Sequence, residues 1–181
     1  AIAGQVGYMI AGENATADKT FYQLVFNDKH TERDPVTGDR LDPTPFFSTS
    51  LGISDDLSAG NALPQLNLSR VFVLATGSTC SASEAIINGL RGIGVEVVLI
   101  GSTTCGKPYG FYPQDNCGTT YFSVQFTGAN DQGFGEYPDG FSPQNLTGAT
   151  GVVTPGCWVD DDFTRALGDA EEGMLAAALQ Y

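Results

Sequence analysis

Basic residues are scarce in this 181-residue chain: eight Lys and Arg stand against 21 Asp and Glu, a formal charge of −13. Such a balance repels a phosphate backbone or an anionic bilayer surface, so no nucleic acid or anionic membrane is expected as a partner. Long apolar runs are missing as well. None approaches the roughly 18 residues that cross a bilayer, so neither a membrane span nor a charged-then-apolar leader is expected. Histidine is nearly absent: His30 stands alone in a polar stretch, which leaves little for imidazole base chemistry. Lysine is limited to Lys19, Lys29 and Lys107. Spacings that bind zinc are lacking too, because Cys80, Cys105, Cys117 and Cys157 lie 25, 12 and 40 positions apart and never as CxxC. No cofactor is expected.

What is present is enough for one domain with a core. The chain is 41% hydrophobic, and nothing in its length demands two domains. An even cysteine count in an acidic, lysine-poor chain fits an oxidising compartment, with three two-disulfide pairings open.

The apolar residues Ile2, Val6, Met9 and Ile10 follow a helical pattern, and Phe21 to Phe26 is aromatic and β-branched enough for a strand. From Asn27 to about Gln65 the chain turns polar, with Pro, Gly, Asp and Ser throughout. So long a loop is either a substrate-facing element or a mobile surface insertion. The organisation then tightens into a βαβ unit: a strand over Val71 to Ala75, a helix over Ser81 to Arg91 that stops at Gly92, and a strand over Val95 to Ile100. Strands apolar along their whole length belong to parallel sheets buried on both faces. The turn at Ser81 therefore falls at the carboxyl end of a strand, where open α/β sheets carry their chemistry. Further on, Tyr109 to Tyr112 and Thr119 to Phe126 predict a hairpin around a Pro-Gln-Asp-Asn turn, and a loop runs from Gly128 to Gly151. Asp160-Asp161-Asp162 predicts a helix start ahead of Phe163 and Leu167; calcium is the weaker reading, because the alternating acids and closing Glu of a calcium loop are missing. Glu171 to Leu179 predicts a last helix.

Two short segments carry chemistry. Ser81-Ala82-Ser83-Glu84 is a capping box, in which the serine oxygen accepts from the N3 backbone N–H and the glutamate reaches back to the serine N–H. Capping alone explains both residues. The segment gains meaning from Thr104-Cys105-Gly106-Lys107, which follows the next strand and places a lysine before Pro108 at the same end of the sheet. Ser81 at a helix start has free N–H groups and a positive dipole end beside it, and the N–H of Ala82 is the expected oxyanion donor. A lysine that serves as base near neutrality must fall from about 10.4 to about 7 or 8, which an apolar strand end can bring about. The plain alternative is a lysine lying over the sheet edge.

These segments resemble those of the S41 serine peptidases, the carboxyl-terminal or tail-specific processing proteases, in which a Ser-Ala-Ser-Glu helix start is followed by a Thr-x-Gly-Lys segment after the next strand. The likeness runs from Leu68-Ser69-Arg70-Val71 to Asp139-Gly140-Phe141-Ser142-Pro143. It implies an α/β, crotonase/ClpP-like core with βαβ units, a β-hairpin and C-terminal helices, in which residues 1–181 form a single, partial catalytic domain. It also implies Ser81 as nucleophile, Lys107 as general base, a protein or peptide substrate, and a secreted or periplasmic location. Two departures stand out. The glutamine that many processing proteases carry four residues after the lysine is Phe111 here, so a dyad is expected. The strand and glycine-rich turn that give the second oxyanion N–H should lie just before Ala1, so the expectation is either that a second segment of the same precursor completes the site or that the chain stands alone without a complete one. Because Cys80 and Cys105 flank the two site residues, they are expected to be bridged, leaving Cys117 with Cys157. The rival functions are a Ser/Lys amidase or esterase, and a non-catalytic envelope binding domain that keeps the fold with Ser81 as a cap.

Overall fold

The computed structural model describes residues 1–52 and 58–181, so the part of the long loop at 53–57 lies outside the described residues. The chain opens with helices α1 (Ile2–Ala11) and α2 (Glu13–Thr16), strand β1 (Thr20–Val25) and a two-residue strand β2 (Thr44–Pro45). The βαβ unit follows as β3 (Arg70–Ala75), α3 (Ala82–Gly92) and β4 (Glu96–Gly101). Short strands β5 (Tyr109–Gly110), β6 (Gln114–Asn116), β7 (Thr119–Tyr121), β8 (Phe126–Ala129), β9 (Phe141–Pro143), β10 (Val152–Thr154) and β11 (Gly156–Trp158) lead to α4 (Gly173–Gln180).

β3 and β4 pair in parallel from Arg70↔Glu96 to Ala75↔Gly101, and β11 joins the other side of β4 in parallel. β4 is thus the central strand, and its apolar run has a purpose on each face. Val97 and Leu99 pack with Ile87 and Leu90 of α3, while Val98 and Ile100 pack with Met174 of α4. Successive side chains of a strand point to opposite faces, so a strand between two helical layers must be apolar throughout. β3 lies at the sheet edge and is only half covered, which fits the exposed Leu74. A second, antiparallel sheet runs β2-β1-β8-β5, and its Phe21 meets Phe46 edge to face beneath Tyr8 of α1.

The loop from Asn27 to Gln65 is largely exposed where it is described but is anchored at a few points. Phe46, Asp34, Ser50 and Leu63 are buried, and Asp34 accepts from the backbone N–H groups of Val36 and Thr37 and from the Tyr112 hydroxyl. The Asp34 carboxylate pushes the Tyr112 phenol up to about 12, so the hydroxyl keeps its proton and the contact ties the loop to the β5 side of the molecule.

Three expectations are corrected. Tyr109 and Gly110 do pair with Thr127 and Phe126, but Pro-Gln-Asp-Asn is no turn. Gln114–Asn116 is itself a strand, and the chain reverses at Cys117-Gly118, both at positive φ (48° and 78°), as a two-residue primed turn requires. The stretch from Gly128 to Gly151 is not all loop, since it holds the end of β8 and the whole of β9, a buried strand paired in parallel with β10. Asp160-Asp161-Asp162 starts no helix: Asp162 accepts from the N–H (2.9 Å) and hydroxyl (2.6 Å) of Thr164 in a local turn, and Phe163 and Leu167 are exposed. With no surface for that apolar pair to cover, the side-chain turn wins over the helix. The last helix is present, capped by Glu172, which accepts from Met174 N–H at 3.0 Å and Leu175 N–H at 2.8 Å. Among the described residues no helix is long and apolar enough to cross a membrane.

Ile87 lies on the face of α3 that meets β4 and is fully buried. Ile87→Ala is expected to lower stability by about 2–5 kcal/mol through lost transfer energy and the cavity left behind. A urea titration should show a lower midpoint with an unchanged slope; a midpoint within error of the parent would contradict this packing.

Candidate active site

The parallel register of β3 and β4 sends both chains out of the sheet at one end, Ala75 beside Gly101. From there one chain turns through Thr76–Cys80 into α3, and the other runs from Ser102 to Pro108 into β5. Ser81 is the N-cap of α3, at φ 56° and ψ −110°. A left-handed φ at a non-glycine residue costs on the order of 1–3 kcal/mol and persists only where surrounding bonds impose it.

Glu84 imposes it. Its side chain is fully buried in the first turn of α3 and accepts four hydrogen bonds. Oε2 takes the N–H of Ser81 at 3.0 Å and that of Lys107 at 2.9 Å. Oε1 takes the Thr104 hydroxyl at 2.6 Å and the Gly106 N–H at 2.8 Å. One carboxylate therefore joins the two segments singled out in the sequence. Cys80 and Cys105 add a disulfide with Cα atoms 5.3 Å apart, and the N–H of Cys105 donates to Thr79 O at 3.0 Å. The segment 138–143 backs the second loop: Thr104 Oγ1 accepts from Phe141 N–H at 2.8 Å, and Gly106, at φ 76°, lies so close to Pro138 O that a Cβ there would sit 2.0 Å from it. Only glycine fits.

Ser81, Ala82 and Lys107 line one open cavity of about 430 Å³. Its remaining walls are largely aromatic: Phe21 and Tyr22 from β1, Tyr109, Phe111 and Phe126 around β5 and β8, and Tyr137. Thr44, from the long loop, also lines the cavity. Burial pushes the phenols of Tyr22 and Tyr137 above their usual range, so both stay neutral. Ala82 is the first residue of α3, and its N–H has no acceptor within the helix.

Other expectations fare differently. Lys107 is exposed rather than enclosed by an apolar strand end, because five residues of loop separate it from β4. The Cys80–Cys105 pairing is present, but Cys117 and Cys157 are free thiols. Cys117 occupies the exposed turn between β6 and β7, whereas Cys157 lies in β11 against Ile100 of the parallel sheet. His30 is half-buried and takes no part in the cavity lining. Among the described residues no three His, Cys, Asp or Glu side chains converge as a metal site.

The sequence reading missed the second half of Glu84's role and the aromatic walls. A signal for the former existed: position 84 lies one turn before Ile87 on the buried face of α3, so its carboxylate had to find donors inside. The aromatic residues come from four distant stretches, and nothing local marks them as one surface.

Glu84→Ala should cost roughly 3–5 kcal/mol, since it leaves three partly buried N–H groups and the buried Thr104 hydroxyl without their acceptor. Chemical denaturation checks this, and a loss below about 1 kcal/mol would mean that the four bonds do not hold the two loops. Reduction of Cys80–Cys105, which closes a separation of 25 residues, is expected to lower stability by about 3.5 kcal/mol on the chain-entropy relation. Comparing denaturation midpoints with and without dithiothreitol, with Cys117→Ser and Cys157→Ser in the background, reads that loss.

No protein-family model matches the chain, and no curated protein sequence matches it. Among solved structures it is similar to a candidate S41 protease from Bacteroides fragilis NCTC 9343, with 24% sequence identity and a TM-score of 0.65 over 98% of this chain and 40% of that one. The chain thus spans less than half the length of that protein. It shares with it an α/β fold of mixed parallel and antiparallel sheets and several helices.

Proposed function

We propose that this chain is the catalytic-core portion of a serine endopeptidase of the S41 type, with a crotonase-like core, acting on protein or peptide substrates outside the cytoplasm. The observation that carries this reading is the meeting of Ser81, Ala82 and Lys107 on one aromatic-walled cavity, with Ser81 held at a strained φ on a strand-to-helix turn. In this reading Lys107 Nζ takes the hydroxyl proton of Ser81 as Oγ bonds to the substrate carbonyl carbon. The oxyanion rests on the Ala82 N–H and the positive end of α3. Collapse breaks the C–N bond, the leaving amine takes the proton from Lys107, and water then hydrolyses the Ser81 ester. The exposure of Lys107 fits a base that is covered only when substrate closes the cavity. A second segment of the same precursor supplies the second oxyanion donor near Ala1, which lines the same cavity. The Cys80–Cys105 bridge supports a secreted or periplasmic setting.

The capping box favours a second reading, in which Ser81 only starts the helix of a non-catalytic binding domain. A Ser/Lys amidase or esterase is the enzymatic rival. On the peptidase reading, Ser81→Ala abolishes hydrolysis of an unfolded protein, and Lys107→Ala lowers kcat by about 10²–10⁴-fold, both with folding intact. A fluorophosphonate probe labels Ser81 in the parent. Turnover of small esters without cleavage of casein would favour the esterase; an inert, unlabelled parent in which Ser81→Ala costs about 1 kcal/mol would favour the cap.

A further inference from the structure

Arg91 lies at the opposite end of α3 from Ser81, ten residues or ~15 Å along the helix. Its Cζ sits 5.2 Å from the centroid of the Phe141 ring, and Nη1 is sealed from solvent with no acceptor among the described residues. None of the described ion pairs includes it, although the chain has 21 acidic residues. Partial burial pushes this guanidinium below its usual range. Arginine stays charged regardless, so the missing partner is costly.

Beside it opens a cavity of about 250 Å³, lined by Arg91, Asn130, Gln132, Phe134 and Val152. Asn130 has no capacity left for a ligand. Its Nδ2 donates to Asn88 O at 2.9 Å and Asn88 Oδ1 at 3.1 Å, and its Oδ1 accepts from the N–H groups of Gln132 and Phe134, both at 3.0 Å. Those bonds fix the loop that forms the wall. What remains to meet a ligand is the guanidinium, the side-chain amide of Gln132 and two apolar faces, Phe134 and Val152.

We propose that this cavity is a carboxylate-binding site, in which the carboxylate lies on Arg91 and the apolar part of the ligand lies against Phe134 and Val152. The planar fork of arginine matches a carboxylate with two parallel bonds, and a singly charged group suits a chain of charge −13 better than a phosphate. The site stands whether or not Ser81 is a nucleophile. The same chemistry is offered by a free small-molecule carboxylate and by an acidic side chain of another polypeptide.

Isothermal titration of the intact chain with benzoate, with acetyl-Gly-Asp-Gly-amide and with its Asn counterpart separates these sources. Saturable binding is expected for benzoate or the Asp peptide, absent for the Asn peptide, at least tenfold weaker in Arg91→Gln and also weakened in Gln132→Ala. Benzoate alone would identify a free carboxylate as the ligand, and the Asp peptide alone a polypeptide. Should Arg91→Gln fail to fold, Arg91→Lys keeps the charge without the fork and is expected to bind severalfold more weakly. Saturation by neither probe, or equal binding by parent and Arg91 variants, would overturn the site.

Discussion

A single buried carboxylate organises the candidate active site. Glu84 accepts from Ser81, Thr104, Gly106 and Lys107, and so pins the start of α3 to the loop after β4. A buried charge is tolerable only when its lone pairs are filled by well-placed donors, and here four donors from two segments fill them. The constraint runs both ways. The loops cannot drift apart without stranding the charge, and Ser81 cannot relax its left-handed backbone without losing its N–H acceptor. The Cys80–Cys105 bridge repeats the connection covalently, one residue before the serine and two before the lysine.

The sheets supply the frame for this connection. Parallel pairing of β3 and β4 brings two chain exits to one end, and helices on both faces keep β4 rigid by burying it. The antiparallel sheet contributes differently: β1, β8 and β5 carry the aromatic side chains that wall the cavity in front of Ser81. A helix cap and a nucleophile make compatible demands on a serine, since both place its oxygen among unpaired N–H groups. The aromatic cavity and the strained φ are what a cap by itself does not need.

Much of the central unit was legible in the amino-acid pattern. The apolar strands around positions 71–75 and 95–100, the intervening amphipathic helix and its capping box have periods and end signals strong enough to read. The last helix and the Cys80–Cys105 pair were legible too, the latter through the residues that the cysteines flank. Strands of three residues such as β9, β10 and β11 were not, because so short a segment has no periodicity and is defined only by its partner. The acidic run at Asp160 misled for a related reason: acids before an apolar pair start a helix only when that pair has somewhere to pack, and Phe163 and Leu167 do not.

By itself, the sequence determined the elements whose physics is local: the caps, the apolar strands, the overall negative charge and the two short segments that carry reactive side chains. Tertiary structure decided the rest, because it depends on which distant groups meet. It set Lys107 in solvent rather than in an apolar strand end, since the loop after β4 is long enough to carry it clear. It left Cys117 and Cys157 on separate elements as free thiols. It turned Glu84 from a helix cap into the acceptor for two loops, because burial on the inner face of α3 brings a carboxylate among donors that lie twenty and more residues away in the chain.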